Sequence, residues 1–151
     1  MIALVKIKVK YKIEGYDIFK SKGDISRIIT YCKSELKAKE NLNICDNSIA
    51  STWLEIGHTR SRWLVGQFYR EQSILGQPNS RKLDEQVERF NLFLNGIENL
   101  NGWDNCIILG DFNINLDLEC TDDNNYMLRN LLFDTFPLAG FTQMVKKYTR
   151  L

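Results

Sequence analysis

A layered α/β sandwich is the fold class this sequence predicts, and three observations predict it. The first half, from Lys6 to Tyr69, is β-rich, with several short strand-like runs of which the first shows a period of two. The period then lengthens to that of a helix between Leu83 and Ile97. Finally, Cys106 to Leu109 is an unbroken apolar run of strand length, and a second helical stretch follows it. Strands first, then helix, strand and helix, suit sheets with helices packed outside them.

Taken in order, Ile7, Val9, Tyr11 and Ile13 alternate with Lys6, Lys8, Lys10 and Lys12, giving a strand with one apolar and one cationic face. The lysines read better as the solvated face of a protected edge strand than as a phosphate-binding row, because lysines alone carry no geometry. Gly15-Tyr16-Asp17-Ile18-Phe19 begins a second extended stretch, Ser21 to Asp24 makes a turn, and Arg27 to Lys33 is β-branched enough to pair back as a hairpin. Past the polar stretch Lys37 to Asn47, Ile49 to Ile56 and Trp63 to Tyr69 are further strands joined through Gly57 to Arg62.

The helical face is carried by Leu83, Val87, Phe90, Leu94 and Ile97. Asn79 or Ser80 can cap that helix, Asp84 and Glu85 complement its dipole, and Asn101-Gly102 ends it. The run from Cys106 to Leu109 predicts a strand covered on both faces, extending from Ile107 to Asn113. A polar loop over Asn115 to Asn125 leads to a helix over Tyr126 to Phe136, with Leu128, Leu131 and Leu132 on its buried side and Pro137 as its stop. Gly140 to Thr142 turns the chain.

The bulk numbers fit one soluble domain spanning residues 1–151, with 44% hydrophobic and 26% charged residues. Twenty basic against nineteen acidic side chains leave a net charge of +1, so no global field calls for a nucleic acid or an anionic membrane. Cys32, Cys45, Cys106 and Cys120 lack the spacing of a zinc site or redox pair and read as thiols of a reducing compartment. No signal peptide or membrane span is evident, which points to an intracellular protein.

The chemistry concentrates at Gly110-Asp111-Phe112-Asn113. If the strand continues, Asp111 and Asn113 share one face. Phosphodiester hydrolysis needs an activated water, stabilised phosphoryl oxygens and usually a cation on hard oxygen ligands. An Asp can orient or deprotonate the water, and an Asn can bond a phosphate oxygen without adding negative charge. Against this stands the plain reading of Gly-Asp-Phe-Asn as a strand-end turn, for which those residue types are common. Trp63 to Arg70 precedes it by about one helix, so Tyr69 and Arg70 end one strand as Asp111 ends the next, and a phenol and a guanidinium could face the same phosphate.

On these residues the sequence resembles the endonuclease/exonuclease/phosphatase superfamily, specifically the endonuclease domains of non-LTR retrotransposon polyproteins. The matching pieces are Glu14 to Phe19, Ile28 to Leu36, Trp53-Leu54-Glu55-Ile56, Val65 to Arg70, Ile107 to Asn113 and Gln143 to Arg150, in the expected order. The resemblance implies a DNase I-like four-layer α-β-β-α sandwich and DNA cleavage dependent on Mg²⁺ or Mn²⁺. It implies that Asp111 aligns the attacking water, that Asn113 contacts the scissile phosphate and that Tyr69 hydrogen-bonds it. Asp111 and Asn113 would be the metal-side ligands, and Arg70, Thr149 and Arg150 would bind substrate. A retroelement protein of this type would work in the nucleus.

The family pattern also calls for an Asn and a metal-binding Glu upstream of Gly15, and residues 1–13 contain neither Glu, Asp nor Asn. It calls for an Asp-His pair beyond Thr149-Arg150, whereas the only histidine, His58, reads as part of a charged turn before Tyr69. The expectation is therefore an incomplete domain, truncated at both ends, whose isolated chain is inactive. Two alternatives stay open. One is an inactive remnant that touches nucleic acid weakly through Lys6, Lys8, Lys10, Arg60, Arg62, Arg81 and Lys82; the other is a phosphatase branch of the same superfamily.

Overall fold

The computed structural model describes residues 12–21, 27–44, 49–58, 61–71, 83–100, 102–114 and 123–144. They belong to two compact units, one of residues 1–71 with 102–112 and one of residues 72–101 with 113–151. Among the described residues the first unit is β and the second helical, which makes an α/β arrangement with two sheets and two α-helices.

In the first unit, β1 (Tyr16–Lys20) and β2 (Ile29–Lys33) pair antiparallel as the predicted hairpin. The other sheet has the order β3-β4-β5-β6, with β3 at Lys39–Glu40, β4 at Ala50–His58, β5 at Ser61–Tyr69 and β6 at Asn105–Asp111. β4 and β5 are antiparallel, whereas β5 and β6 are parallel. The parallel pair requires a crossover, and the segment between the two strands in sequence contains helix α1 (Leu83–Glu98). His58 ends β4 with its Cα opposite Ser61, so it closes a strand rather than occupying the expected turn.

The sheets meet through polar contacts. Thr30 of β2 donates its hydroxyl proton to Gln67 Oε1 of β5. A hydroxyl has one proton to give, so Thr52 is the donor in the 3.3 Å contact between the two threonine hydroxyls. Thr30 and Thr52 are both buried, and each is satisfied by this network. The hairpin thus lies over β4 and β5. Ser51, Thr52, Trp53 and Leu54 are all buried, which means that β4 is covered on both faces.

Two glycines make close approach possible on the sheet face opposite the hairpin. Trp53 stands across from Gly66, and a Cβ on residue 66 would meet the indole at 2.3 Å. Phe68 stands beside Gly110 in the parallel pair, and a Cβ there would meet the Phe68 carbonyl oxygen at 2.2 Å. Each ring lies where the glycine leaves room, and Phe68 continues on to Phe112 with ring centroids 3.9 Å apart. The start of β6 is tied to the start of β5 through Arg62. Its backbone N–H donates to Asp104 Oδ2 at 2.9 Å, and its guanidinium bonds the Gly102 carbonyl and lies 5.2 Å from the centre of the Trp103 ring.

The expected strand over Ile107 to Asn113 is shifted: β6 begins at Asn105 and stops at Asp111. Its expected burial on both faces is also corrected. Ile107 and Leu109, which share a face with Val65 and Gln67, remain 40% and 52% exposed. The hairpin contacts reach β4 and β5, and the apolar run records only what the strand could bury, not what arrives to cover it.

In the second unit, α1 packs against α2 (Asp123–Leu138). Phe90, Leu94 and Ile97 are buried as their spacing predicts, joined by Phe93, whose ring stacks 6.4 Å from that of Phe90. Leu128 and Leu132 are buried and Leu131 is half-buried. Pro137 does not stop the helix at Phe136 as expected, since α2 runs through it to Leu138. A proline at this position leaves one helical bond unmade and crowds the carbonyl four residues earlier, and the helix continues only one residue past it. The true stop lies beyond it: Gly140 is left-handed at φ 81°, its N–H donates to the Pro137 carbonyl, and the Phe141 N–H donates to the Phe136 carbonyl. The rings of Phe136 and Phe141 close the cap at 5.6 Å, which is the apolar contact that accompanies this type of termination.

Candidate functional site

Parallel strands joined by a crossover leave their carboxyl ends side by side, and open α/β sheets bind ligands beyond such ends. At the ends of β5 and β6, Tyr69 and Asp111 are Cα partners. In a parallel pair, residues in register project from the same face, so the phenol and the carboxylate are neighbours on the hairpin side of the sheet. Both side chains are half-buried.

The residue that follows β5 takes a different role. Arg70 is buried, its backbone N–H donates to the Asp111 carbonyl at 3.0 Å, and its Nε donates to the Phe112 carbonyl. Burial pushes the guanidinium below its ordinary pKa, and the nearby Asp111 carboxylate opposes that shift by favouring the charged form. Arg70 therefore fastens the Asp111-Phe112 backbone from beneath. The guanidinium is thus buried and engaged with the Phe112 carbonyl, rather than presented beside the phenol to a common ligand as expected from sequence.

Asn113 lies past the end of β6 with φ 49°, a left-handed conformation that Asn tolerates better than most residues. The period-two argument that placed it on the same face as Asp111 fails, because the chain has left the strand by then. Asn113 is half-buried and belongs to the helical unit. Thr149 and Arg150 lie outside the described residues, as do Lys6, Lys8, Lys10, Arg60, Arg81 and Lys82. Of the cations proposed for weak nucleic-acid contact only Arg62 is described, and it is engaged with Gly102 and Trp103.

Among the described residues no group of three or more His, Cys, Asp and Glu side chains is placed to hold a metal ion. Asp111 supplies one carboxylate. This is compatible with the usual magnesium arrangement, in which one or two carboxylates combine with waters and substrate phosphates, but it is not a cage made by the protein alone. A surface depression of about 530 Å³ lined by Lys12, Glu14, Gly15, Tyr16, Asp17 and Ser34 involves neither Tyr69 nor Asp111.

One pair of charges near these strand ends had no signal in the sequence. Arg27, just before β2, reaches Glu71, just after β5, with Nη2 to Oε1 at 2.7 Å. The backbone that carries Arg27 is held by the buried Ser21 hydroxyl, which accepts from the N–H groups of Arg27 and Ile28 at 3.0 and 3.2 Å. No helix of the described residues is long and apolar enough to cross a membrane. No protein family, curated protein or solved structure matches this chain.

Proposed function

We propose that this chain carries part of a phosphodiester-cleaving site of the endonuclease/exonuclease/phosphatase type, with DNA as substrate and a four-layer sandwich as the complete fold. The observation that supports this reading is the side-by-side placement of Tyr69 and Asp111 at the carboxyl ends of the parallel pair β5 and β6. The Asp111 carboxylate orients a water and accepts its proton as the oxygen attacks phosphorus, while the opposite P–O bond to the departing sugar oxygen breaks and that oxygen takes a proton from solvent water. Tyr69 donates its hydroxyl hydrogen to a phosphoryl oxygen, where negative charge grows. Arg70, bonded to the Phe112 carbonyl, keeps the Asp111 backbone from shifting as charge moves. Mg²⁺ or Mn²⁺ held by Asp111, waters and the phosphate would supply further charge stabilisation. Residues 1–13 hold no Glu, Asp or Asn to act as a second metal ligand beside Asp111, so nicking is expected to be weak.

Conversion of supercoiled plasmid to the nicked form, with Mg²⁺ or Mn²⁺, tests the reading. Wild type is expected to nick weakly, and Asp111→Ala to lose that activity by a factor of about 10² or more. Absence of nicking across several divalent cations refutes the enzymatic reading, and salt-sensitive binding without cleavage would identify an inactive remnant instead.

A further inference from the structure

We propose that Arg27 is a phosphate-binding residue of the Tyr69–Asp111 site, held in reserve by Glu71 and released to a DNA phosphate on binding. The inference rests on the proposed function above and adds to it a residue and a partner switch that no sequence motif indicated.

Three contacts locate Arg27. Thr30 of β2 bonds Gln67 of β5, and Arg27 bonds Glu71, so the start of β2 crosses the end of β5 with Tyr69 between the two crossing points in sequence. Tyr69 is in turn the register partner of Asp111. Residues 27, 69, 71 and 111 thus gather at one end of one sheet face. Side-chain burial is incomplete for both ions, with 35% of Arg27 and 49% of Glu71 accessible, so a ligand can reach the guanidinium without unfolding anything.

The mounting differs from that of an ordinary surface arginine. Ser21 is 3% exposed, and its hydroxyl oxygen takes two successive backbone N–H groups, at 27 and 28. That fixes the Arg27 backbone and removes part of the entropy cost of placing its side chain. Glu71 follows the last residue of β5 by two positions. A phosphate offers the guanidinium the same two-oxygen geometry that a carboxylate does, so exchange of Glu71 for phosphate conserves the bond type. An exposed ion pair contributes little to stability, so Glu71 yields Arg27 readily to a phosphate.

Duplex binding measured as a function of salt separates this role from a structural one. The measurement uses fluorescence anisotropy of a short labelled DNA with Mg²⁺ present, in an Asp111→Asn background so that the strand stays intact. Loss of one phosphate contact lowers the slope of log K against log salt by about 0.9. Arg27→Ala is expected to lose that increment and about tenfold in affinity. Arg27→Lys should keep the slope while recovering only part of the affinity, and Glu71→Gln should bind more tightly than the Asp111→Asn parent. An unchanged slope in Arg27→Ala, or equal weakening by Arg27→Ala and Glu71→Gln with matching losses of Tm, overturns the proposal and leaves the pair structural. The Asp111→Asn parent's failure to bind DNA at all would overturn the proposed function and this inference together. Normal binding by that parent with an Arg27-independent slope overturns this inference alone.

Discussion

Substituting Gly66 by Ala places one methyl group where the structure has an indole. The new Cβ would stand 2.3 Å from Trp53 Cζ3 and 2.6 Å from Cε3 and Cη2, well inside the ordinary contact range of 3.4–4 Å. Trp53 is 1% exposed in a strand covered on both faces, so its ring has no free volume to swing into. Overpacking of a rigid core site costs about 1–3 kcal/mol, and the upper end applies here because the obstacle is a ring wall rather than the tip of a flexible chain. At about 2–4 °C per kcal/mol for a chain of this size, a loss of about 3 kcal/mol lowers Tm by roughly 6–12 °C. Urea denaturation of Gly66→Ala, Trp53→Leu and the double variant checks the cause. With the indole removed, alanine at 66 should cost nothing and even gain the roughly 0.5–1 kcal/mol by which Ala exceeds Gly in a strand, giving a coupling energy above about 2 kcal/mol. Equal costs of Gly66→Ala in both backgrounds would refute the steric account.

Gly140→Ala meets open space, yet φ 81° disfavours any side chain, so the cap of α2 should weaken by about 1–2 kcal/mol in chemical denaturation. A loss as small as that of an exposed helix substitution would mean that the glycine cap is dispensable. Burial pushes the Cys106 thiol up to about 11. The protonated thiol is favoured in the fold, so its stabilising contribution is complete below the unfolded-state pKa and is lost as pH rises through about 11. Iodoacetamide labelling of Cys106 followed by mass spectrometry should therefore rise at higher pH in native than in urea-unfolded protein, and coincident pH profiles would contradict the burial.

Where a side-chain pattern directly determines structure, the sequence was readable. The β1–β2 hairpin, β4, β5 and α1 were all legible, because alternation or a repeat of three and four residues reports a buried face. β3 was not: Lys39 and Glu40 are exposed, and the segment is a strand only because its backbone pairs with β4, Asn41 N–H continuing the ladder to the Trp53 carbonyl. Pro137 was read as a stop when the stop is a glycine cap three residues later. The placement of Tyr69 and Asp111 was legible, because it follows from two strand ends. Arg70 was misread because a charged residue at a strand end gives no hint of which side its guanidinium takes. Arg27 and Glu71 were invisible, since their pairing joins segments far apart in sequence and depends on how the hairpin crosses β5.

The parallel pairing of β5 with β6 also orders events in time. β4 and β5 can close across the short link between His58 and Ser61 as soon as both have been synthesised. β6 has nothing to bind until the chain has made the whole intervening segment, α1 included, and the entropy of that larger loop is lost before any ladder bond repays it. Asp111, the last residue of β6, accordingly joins Tyr69 only when the sheet is finished. A chain arrested or clipped before residue 105 would retain the antiparallel strands and their buried tryptophan, yet lack the carboxylate altogether. Any signal that depends on Asp111 would therefore report that translation has passed residue 111 and that the sheet has closed.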